Sequence, residues 1–549
     1  MTAARMTRTA PTARRMKRSI FPMFFFTDCH TPFVFIISPA GQLPLRDAQG
    51  CSNVKKRLWP QTKNAIHRWH KWYNGNTGGI NMTGKFSKYL KNRKPALQEL
   101  VRLLGEKYAY ASVLATDVAG TSISVDRSTT SVNPSGLTEC GFVVKVFDGR
   151  AYVEYATNEI DAKHLEDVIF AVDRLVAAQT TVPSVSVGLL KEEPIVKRFN
   201  RKNVGKDLSA EAIIALLKGF VETTIASDPL IVNVRAGIET TEISKLFLSK
   251  AKDLEQYYTW SNPRSYVLAR RGEVTKYAYD GFGDNSVERA LGALGDLIGK
   301  TAKLAIELLD AIPPKPGYYE IVTDPSITGL IAHEAFGHGV EMDMFVKDRA
   351  AAKDYMGKRV ASPLVSMRDG AASAFSVASY FFDDDGVLAG NTKIIDKGIL
   401  VAGISDVLSA LQLGKTPTGN SRRESYKRKA YTRMTNTFFE KGKSHFDEMI
   451  VSVKEGYFIA KTNNGMEDPK NWGIQCTAHY GREIKDGKFT GKIVSPVVMS
   501  GYVIDLLESI SAVSSDFDVI GSGSCGKGYK EWVRVSDGGP CLKAKVKIG

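Results

Sequence analysis

The chain has 549 residues, of which 43% are hydrophobic and 24% are charged, and its mean hydropathy is -0.16. This composition is typical of globular proteins and excludes a collagen-like, coiled-coil or wholly disordered chain. The net charge of +15 is concentrated at the N-terminus, because residues 1–81 contain thirteen Lys or Arg and two acidic residues. The rest of the chain is nearly neutral, so we expect no nucleic acid partner. Six irregularly spaced cysteines are typical of a reducing compartment, and we predict a cytoplasmic protein.

Residues 1–81 have features of an extension outside the fold. They contain no acidic residue before Asp28, which resembles an organellar transit peptide. Two apolar stretches, at 20–26 and 33–37, are separated by polar residues and are too short to cross a bilayer. We therefore expect no membrane association. The alternative interpretation is that translation starts at Met82.

Residues 82–312 alternate between helical and strand patterns. Helical spacing of apolar residues predicts helices at 96–104, 161–178 (with Asp161 as N-cap), 209–226 and 286–312. Strands are predicted at 122–125, 142–146, 151–155, 230–234 and 265–268. The turn pair Asp148-Gly149 predicts a hairpin between the second and third of these strands. The segment is thus predicted to be an N-terminal α/β-type domain with antiparallel strands and helices.

The clearest boundary is the proline-rich segment 313–317, which ends the last of these helices. One helix is predicted near 327–345. After it come short apolar runs separated by turn sequences such as Asp396-Lys397-Gly398. We predict a mainly β C-terminal domain over residues 313–549 and an α+β fold for the whole chain.

The strongest chemical signal is the sequence His333-Glu334-Ala335-Phe336-Gly337-His338. Neutral imidazoles are good ligands of Zn²⁺, and a glutamate beside a ligand can take a proton from metal-bound water. The two histidines are five residues apart, so a regular α-helix would place them about 140° apart around its axis. Gly337 allows a π-bulge or a helix end that closes this angle. Two histidines with unrelated hydrogen bonds are the alternative.

Two histidines require at least one further metal ligand. The nearby candidates are Glu341 and Asp343, and the distant candidates are Cys476, His479 and Cys525. Cys525 lies in a glycine-rich segment, where the backbone can approach a metal closely, and Lys527 would favour its thiolate form.

Other motifs carry weaker signals. Residues 521–527 nearly match a phosphate-binding loop, but Gly528 replaces the Ser or Thr that binds Mg²⁺, and a strand pattern follows instead of a helix. We therefore predict no nucleotide site there. The basic pairs and triplets at 422–423 and 427–429 are predicted to be solvated.

Four sequence blocks together resemble the TldD/PmbA family. They are HEAFGHGVEMD at 333–343, TGNSRRESY at 418–426, RMTNTFFEKG at 433–442 and the terminal segment that begins CGKGYKEWVRVSDGG at Cys525. The resemblance covers roughly Met82 to Gly549 and leaves residues 1–81 outside. The chain departs from the family pattern at Tyr529-Lys530, where a more polar stretch is usual, which puts local substrate contacts in doubt.

The resemblance implies a metalloprotease that acts on peptides or unfolded protein. It implies that His333, His338 and Cys525 bind the metal and that Glu334 is the general base. Retention of HExxxH is typical of the catalytic TldD type, and the family's dimers imply either a PmbA/TldE-like partner or a homodimer. Zinc is favoured by the nitrogen and sulfur ligands, with iron as the alternative metal.

Two functions are carried forward from the sequence. The first is a zinc-dependent peptidase, and the second is a non-hydrolytic peptide-binding or maturation scaffold with a structural metal. A catalytic zinc needs an open fourth position, whereas a fourth protein ligand such as Asp343 or His479 would favour the scaffold. The sequence does not identify the substrate-binding residues.

Overall fold

The computed structural model describes residues 85–179, 187–201, 204–529 and 531–549. The extension predicted for residues 1–81 lies outside these residues. The fold is mixed α+β with a β-rich C-terminal region, as the sequence predicts. Among the helices described, none combines the length and the apolar character needed to cross a bilayer.

The first part of the fold is an eight-stranded sheet with helices on one face. Its helices are α1 (Lys88–Lys107), α2 (Leu165–Gln179), α3 (Ala210–Ser227) and α4 (Val287–Glu307). Its strands are β1 (Tyr110–Val125), β2 (Thr130–Pro134), β3 (Glu139–Phe147), β4 (Tyr152–Thr157), β5 (Ile195–Asn200), β6 (Ile231–Ser249), β7 (Lys252–Arg271) and β8 (Val274–Gly281). The strand order is β4-β3-β1-β6-β7-β5, with β2 paired to β1 and β8 paired to β7. All pairs are antiparallel except β5 with β7.

The local predictions in this part are largely confirmed. The hairpin joins β3 to β4, and Gly149 has a φ of +93°, which glycine adopts without strain. The prediction of Asp161 as a helix N-cap is wrong, because α2 begins at Leu165. Asp161 instead accepts a hydrogen bond from the backbone of Lys163 at 2.8 Å, two residues along, and so forms a turn before the helix.

Both faces of this sheet are covered. The four helices pack on one face through apolar side chains such as Val113, Leu246 and Ile238. On the other face, Leu114 and Phe247 pack against Phe382, a residue of the C-terminal part. The C-terminal part therefore covers the sheet face that the helices leave open. A division into domains at residue 313 stays a prediction.

The second part contains short helices and two larger sheets. Its helices are α5 (Pro325–Leu330), α6 (Met342–Val346), α7 (Val407–Gln412), α8 (Phe446–Val451) and α9 (Val503–Glu508), with a π-helical turn at Ile331–Gly337. Its strands are β9 (Gly317–Thr323), β10 (Met367–Asp369), β11 (Thr392–Asp396), β12 (Ile399–Leu400), β13 (Ser421–Arg422), β14 (Tyr431–Thr432), β15 (Asn436–Phe439), β16 (Glu455–Asp468), β17 (Gly473–Lys485), β18 (Lys488–Val494), β19 (Val497–Tyr502), β20 (Ala512–Val513), β21 (Asp518–Lys527), β22 (Glu531–Gly539) and β23 (Leu542–Ile548).

The two larger sheets enclose the helix that carries the histidines. In one sheet the order β16-β9-β23-β19-β17 closes on itself, because β16 also pairs with β17. The other sheet has the order β12-β11-β10-β15-β22-β21, so β21 is an edge strand. Helix α5 and the π-helical turn lie between β16 of the closed sheet and β21 and β22 of the open sheet. This position directs the end of the helix toward β21.

Candidate metal centre

A π-helical turn places the two histidines of the motif on one side of the helix. Helix α5 begins after Asp324, whose side chain accepts a hydrogen bond from the backbone of Ile327 at 2.8 Å. The chain then widens, and the backbone N–H of His338 donates to the carbonyl of His333, five residues earlier. The ring centroids of these histidines are 5.1 Å apart. The irregular helix expected from the five-residue spacing is thus confirmed.

Glycines allow this helix to approach its neighbours closely. A Cβ atom on Gly329 would overlap the backbone amide of Gly538 on β22, and one on Gly337 would overlap the buried sulfur of Met434. Only a residue without a side chain fits at these contacts without displacement of the neighbours. The glycines therefore set the distance between the histidine helix and the strands beside it.

Cys525 on β21 meets the two histidines. Its Sγ lies 3.5 Å from Nε2 of His338, and donor atoms of His333, His338 and Cys525 all lie within 4.8 Å of one another. Each of His333 and Cys525 is only 4% exposed. Nδ1 of His333 is buried without a hydrogen-bond partner, which is costly for a polar atom. Two nitrogens and a sulfur in this arrangement fit the donor set of a zinc site.

The three groups stabilise one another electrostatically. Burial alone would raise the pKa of the Cys525 thiol, but His333 and His338 hold it well below its ordinary value. Burial alone would lower the pKa of both histidines, but the Cys525 thiolate raises it. The histidines, rather than Lys527 as predicted, therefore favour the thiolate. Because metal ligation requires neutral imidazoles and a thiolate, a metal ion and protons compete for this cluster.

Lys527 contacts Glu341, which lies on the side of the His338 ring opposite to Cys525. Nδ1 of His338 lies 3.1 Å from a carboxylate oxygen of Glu341, which is 1% exposed. Nζ of Lys527 donates to Glu341 at 2.8 Å, to Asp343 at 2.7 Å and to the carbonyl of Thr432 at 2.9 Å. Burial opposes ionisation of Glu341, but Lys527 and His338 lower its pKa well below the usual range. Glu341 and Asp343, considered above as ligands, thus contact His338 and Lys527 and stand outside the group of close donors found among the described residues.

Cys476 and His479 on β17 also stand outside the cluster. Nε2 of His479 is 2.9 Å from the carbonyl of Tyr277, and its ring packs against both Tyr277 and Tyr279. Burial raises the pKa of the Cys476 thiol to about 12. A thiol held neutral in this way is a poor metal ligand.

The cluster opens into a cleft of about 810 Å³. Glu334 lines this cleft, its side chain is 22% exposed, and its Oε2 lies 3.8 Å from Nε2 of His338. Asp537 of β22 lines the same cleft, and burial raises its pKa to about 6. Sequence reasoning missed Asp537, because its Ser-Asp-Gly-Gly context reads as a turn. The cleft therefore brings two carboxyl groups close to the donor cluster.

Of the remaining motif predictions, two agree with the structure and one is wrong. Residues 521–527 form part of strand β21, which agrees with the prediction that no phosphate-binding loop occurs there. The prediction of solvated arginines at 422–423 is wrong, because Arg423 is 8% exposed and lies 3.2 Å from Glu154 of β4, and Arg422 donates to the carbonyl of Met434. The basic triplet at 427–429 is exposed, as predicted. Tyr529 is 86% exposed, and Lys530 lies outside the described residues.

Comparisons with known proteins agree with this architecture. Residues 316–546 match the PmbA/TldA metallopeptidase C-terminal domain. The chain is 33% identical to a protein named metalloprotease from Methanothermobacter thermautotrophicus, over 45% of this chain and 53% of that protein. It is 30% identical to the zinc metalloprotease TldD homolog of Saccharolobus solfataricus, over 52% of this chain and 63% of that protein. The aligned segment thus spans between half and two thirds of each of these relatives.

A solved structure shares the fold over a longer stretch. TldE from Thermococcus kodakarensis superimposes with a TM-score of 0.67 at 16% identity, over 83% of this chain and all of that one. At that identity the likeness concerns the fold. The matched residues and the named relatives show that residues 316–546 form a C-terminal domain of the PmbA/TldA metallopeptidase family.

Proposed function

We propose that this protein is a metal-dependent peptidase that hydrolyses peptides or unfolded protein segments, with zinc as its metal. The observation that carries the proposal is the convergence of His333, His338 and Cys525 on one wall of an open cleft, with Glu334 beside them. Nitrogen and sulfur donors favour zinc over hard oxygen-seeking cations, with iron as the alternative metal. The name of the Saccharolobus relative is consistent with zinc.

The residues of the site divide into three roles. His333, His338 and Cys525 would hold the metal. A bound zinc ion would polarise the peptide carbonyl and make a neighbouring water more acidic. Glu334 accepts the proton of the attacking water and returns it to the departing amine, since its carboxylate faces the cleft next to His338.

Glu341 and Lys527 act as positioning residues for His338. The carboxylate of Glu341 accepts a hydrogen bond from the Nδ1–H of His338. This leaves Nε2 of His338 directed at Cys525 and free to bind a metal. Lys527 compensates the buried charge of Glu341. This chain of contacts fixes both the tautomer and the orientation of the ring.

The shape of the cleft supports an extended substrate. Residues 522–528 of β21 and its end line one side, and residues 461–465 of β16 line the other. β21 is the edge strand of its sheet, and its outer edge can pair with a peptide between the carbonyls of Gly521 and Cys525, which accept hydrogen bonds from Asn262 and Arg433. Pairing of this kind uses main-chain hydrogen bonds and tolerates varied side chains.

The scaffold alternative receives no specific support from the site. It called for a fourth protein ligand from Asp343 or His479. Asp343 is engaged by Lys527, and His479 contacts the carbonyl of Tyr277. A partner subunit of the PmbA/TldE type, or a second copy of this chain, remains part of the proposal, supported by the shared fold of TldE.

Two substitutions separate the roles of base and ligand. Glu334→Gln keeps the size and polarity of the side chain, so we expect metal content to stay near one ion per chain while peptide hydrolysis falls by about 10²–10⁴-fold. Cys525→Ser should lose the metal itself, because a hydroxyl does not replace a thiolate at neutral pH. Cys140→Ser, at a cysteine of the first sheet, is the control and should retain both. Full activity of Glu334→Gln, or full metal content in Cys525→Ser, would refute the assignment.

A further inference from the structure

A second hollow adjoins the cleft of the donor cluster formed by His333, His338 and Cys525. It has a volume of about 580 Å³, and it shares Tyr279, Asp280, Gly281 and Ser522 with the cleft. The two hollows therefore lie side by side along this shared wall, where Asp280 contacts Lys461 and Tyr279 donates to the carbonyl of Thr462. We call it the arginine chamber, after the residues Arg235, Arg264 and Arg534 that line it.

Small residues on neighbouring strands form the floor of the chamber. Ser124 of β1 lies opposite Gly237 of β6, and Gly237 lies opposite Arg264 of β7, which in turn lies opposite Gly281 of β8. Directly opposed residues of antiparallel strands point to the same face of a sheet. The alternation of small residues with one long side chain leaves a depression at this point of the sheet.

Arginines crowd the walls of the chamber. Arg235 is opposed by Tyr266 and Arg264 by Gly237, so the two arginines occupy diagonal positions on one face. Arg534 reaches the same space from β22. Burial lowers the pKa of Arg534, and Arg264 lowers it further, while Glu239 opposes both. Three like charges therefore face one cavity.

The acidic residues of the chamber are already engaged. Glu239 forms an ion pair with Arg534, and Asp280 lies 2.6 Å from the ammonium group of Lys461. Within the described part of the chain, neither Arg235 nor Arg264 has a carboxylate within ion-pair distance. The chamber thus holds two solvent-exposed arginines whose guanidinium groups are free to bind an anionic ligand.

The spacing along β21 gives the distance between this chamber and the metal cluster. Ser522 lines the chamber and Cys525 belongs to the cluster, three residues further along the strand. A strand rises by no more than about 3.3 Å per residue, and β21 is irregular between Ile520 and Gly523, so the shared wall lies within about 10 Å of Cys525. An extended peptide covers this distance in about three residues.

We propose that the arginine chamber is a specificity subsite that binds a carboxylate of the peptide substrate, about three residues from the bond that is cut. This inference rests on the proposed peptidase function and names the substrate class that the site prefers. The carboxylate is either an acidic side chain or the C-terminal carboxylate of a short peptide. Guanidinium groups suit both, since their paired N–H donors match the two oxygens.

The test uses octapeptides of one neutral parent sequence. In one series a single glutamate replaces glutamine at each position in turn, and in another the C-terminus is free or amidated and the chain length varies. We expect kcat/KM to rise about tenfold over the parent when a carboxylate lies about three residues from the cut, and to fall back at about 0.5 M salt. The first series detects side-chain recognition, and the second detects recognition of the C-terminus.

Variants of the full-length protein assign the effect to the chamber. The double substitution Arg235→Gln and Arg264→Gln should reduce the ratio of acidic to neutral kcat/KM to about one. Arg270 is an exposed arginine of β7, the strand of Arg264, and does not line the chamber. Arg270→Gln should therefore preserve the ratio. Equal turnover of acidic and neutral peptides by the wild type, or an unchanged ratio in the double variant, would overturn the proposal.

Peptide binding, measured without hydrolysis, tests this inference independently of the peptidase proposal. The same peptides, carrying a dye, are titrated with the Glu334→Gln protein, and tighter binding of the acidic peptides supports the subsite. If no peptide is hydrolysed by the wild type, the peptidase proposal fails, and the binding series still decides on the chamber. Equal affinity for acidic and neutral peptides refutes the subsite even if hydrolysis is observed.

Discussion

Lys527 supplies the positive charge that balances Glu341 and Asp343 next to the candidate ligand His338. Its side chain is 11% exposed, and its ammonium group contacts the carboxylates of Glu341 and Asp343. A buried carboxylate without a cation is strongly destabilising, and Lys527 is the cation that lowers the pKa of Glu341 most, so loss of Lys527 would favour protonation of Glu341 beside His338. The sequence placed this lysine near Cys525 but could not show which carboxylate it meets, because Glu341 lies 186 residues away.

Removal of this charge should weaken the metal site without touching a ligand. We expect Lys527→Met to reduce metal affinity by about 10–100-fold, because His338 loses its ionised acceptor at Nδ1. Lys347→Met is the matched control, since Lys347 is half-exposed and contacts Asp343 through the other carboxylate oxygen. Metal affinity is measured by competition with a chromophoric chelator. Equal affinity in the two variants would contradict the positioning role of Glu341.

At the scale of the secondary-structure elements, the decisive feature is the junction of α5 with the π-helical turn. The sequence predicted an irregular helix here, because two histidines five residues apart do not share a face of an α-helix. It did not predict the neighbour of that helix. Cys525 reaches His338 across 187 residues, and the contact exists only because the edge strand β21 packs beside the helix.

Gly329 tests how closely this helix must approach β22. A methyl group at this position would overlap backbone atoms of Asp537 and Gly538, which cannot rotate away as a side chain would. We expect Gly329→Ala to lower the free energy of unfolding by about 1–3 kcal/mol and to weaken metal binding. Chemical denaturation and metal titration measure the two effects.

The control for this substitution lies in another helix. Gly299 is in α4, and a Cβ atom there would meet nothing within 4 Å. We expect Gly299→Ala to leave metal binding unchanged and to stabilise the protein by up to about 1 kcal/mol, because alanine favours helix. Wild-type stability and metal affinity in Gly329→Ala would show that the close approach of helix and strand does not matter.

In the molecule as a whole, the second part of the chain covers the open face of the first sheet. Periodicity and turn residues predicted the four helices of the first part, the β3–β4 hairpin and the β-rich C-terminal region, since these depend on local sequence. The same reasoning failed for Arg423, which is buried against Glu154, 269 residues away. Arg423, which would be solvated in an isolated segment, forms an internal ion pair with Glu154 once the two parts pack together.

The cleft is bounded by strands on both sides, which favours substrates in an extended conformation. A substrate must present several residues of extended backbone to pair with β21, and a folded protein has few such segments available. We expect a tightly folded protein to be cleaved far more slowly than its denatured, alkylated form, as followed by gel electrophoresis and mass spectrometry. The same comparison with a nonspecific protease controls for general accessibility. Equal rates of cleavage for the two forms by this protein would contradict the proposed substrate class.

The central claim is that two imidazole nitrogens and one thiolate of this chain bind the metal. X-ray absorption at the metal edge of the purified full-length protein tests it most directly. We predict one sulfur at about 2.3 Å and two nitrogens at about 2.0–2.1 Å, with the sulfur contribution absent in any residual metal bound by Cys525→Ser. A wild-type spectrum with only oxygen and nitrogen neighbours, or with more than one sulfur, would contradict the account.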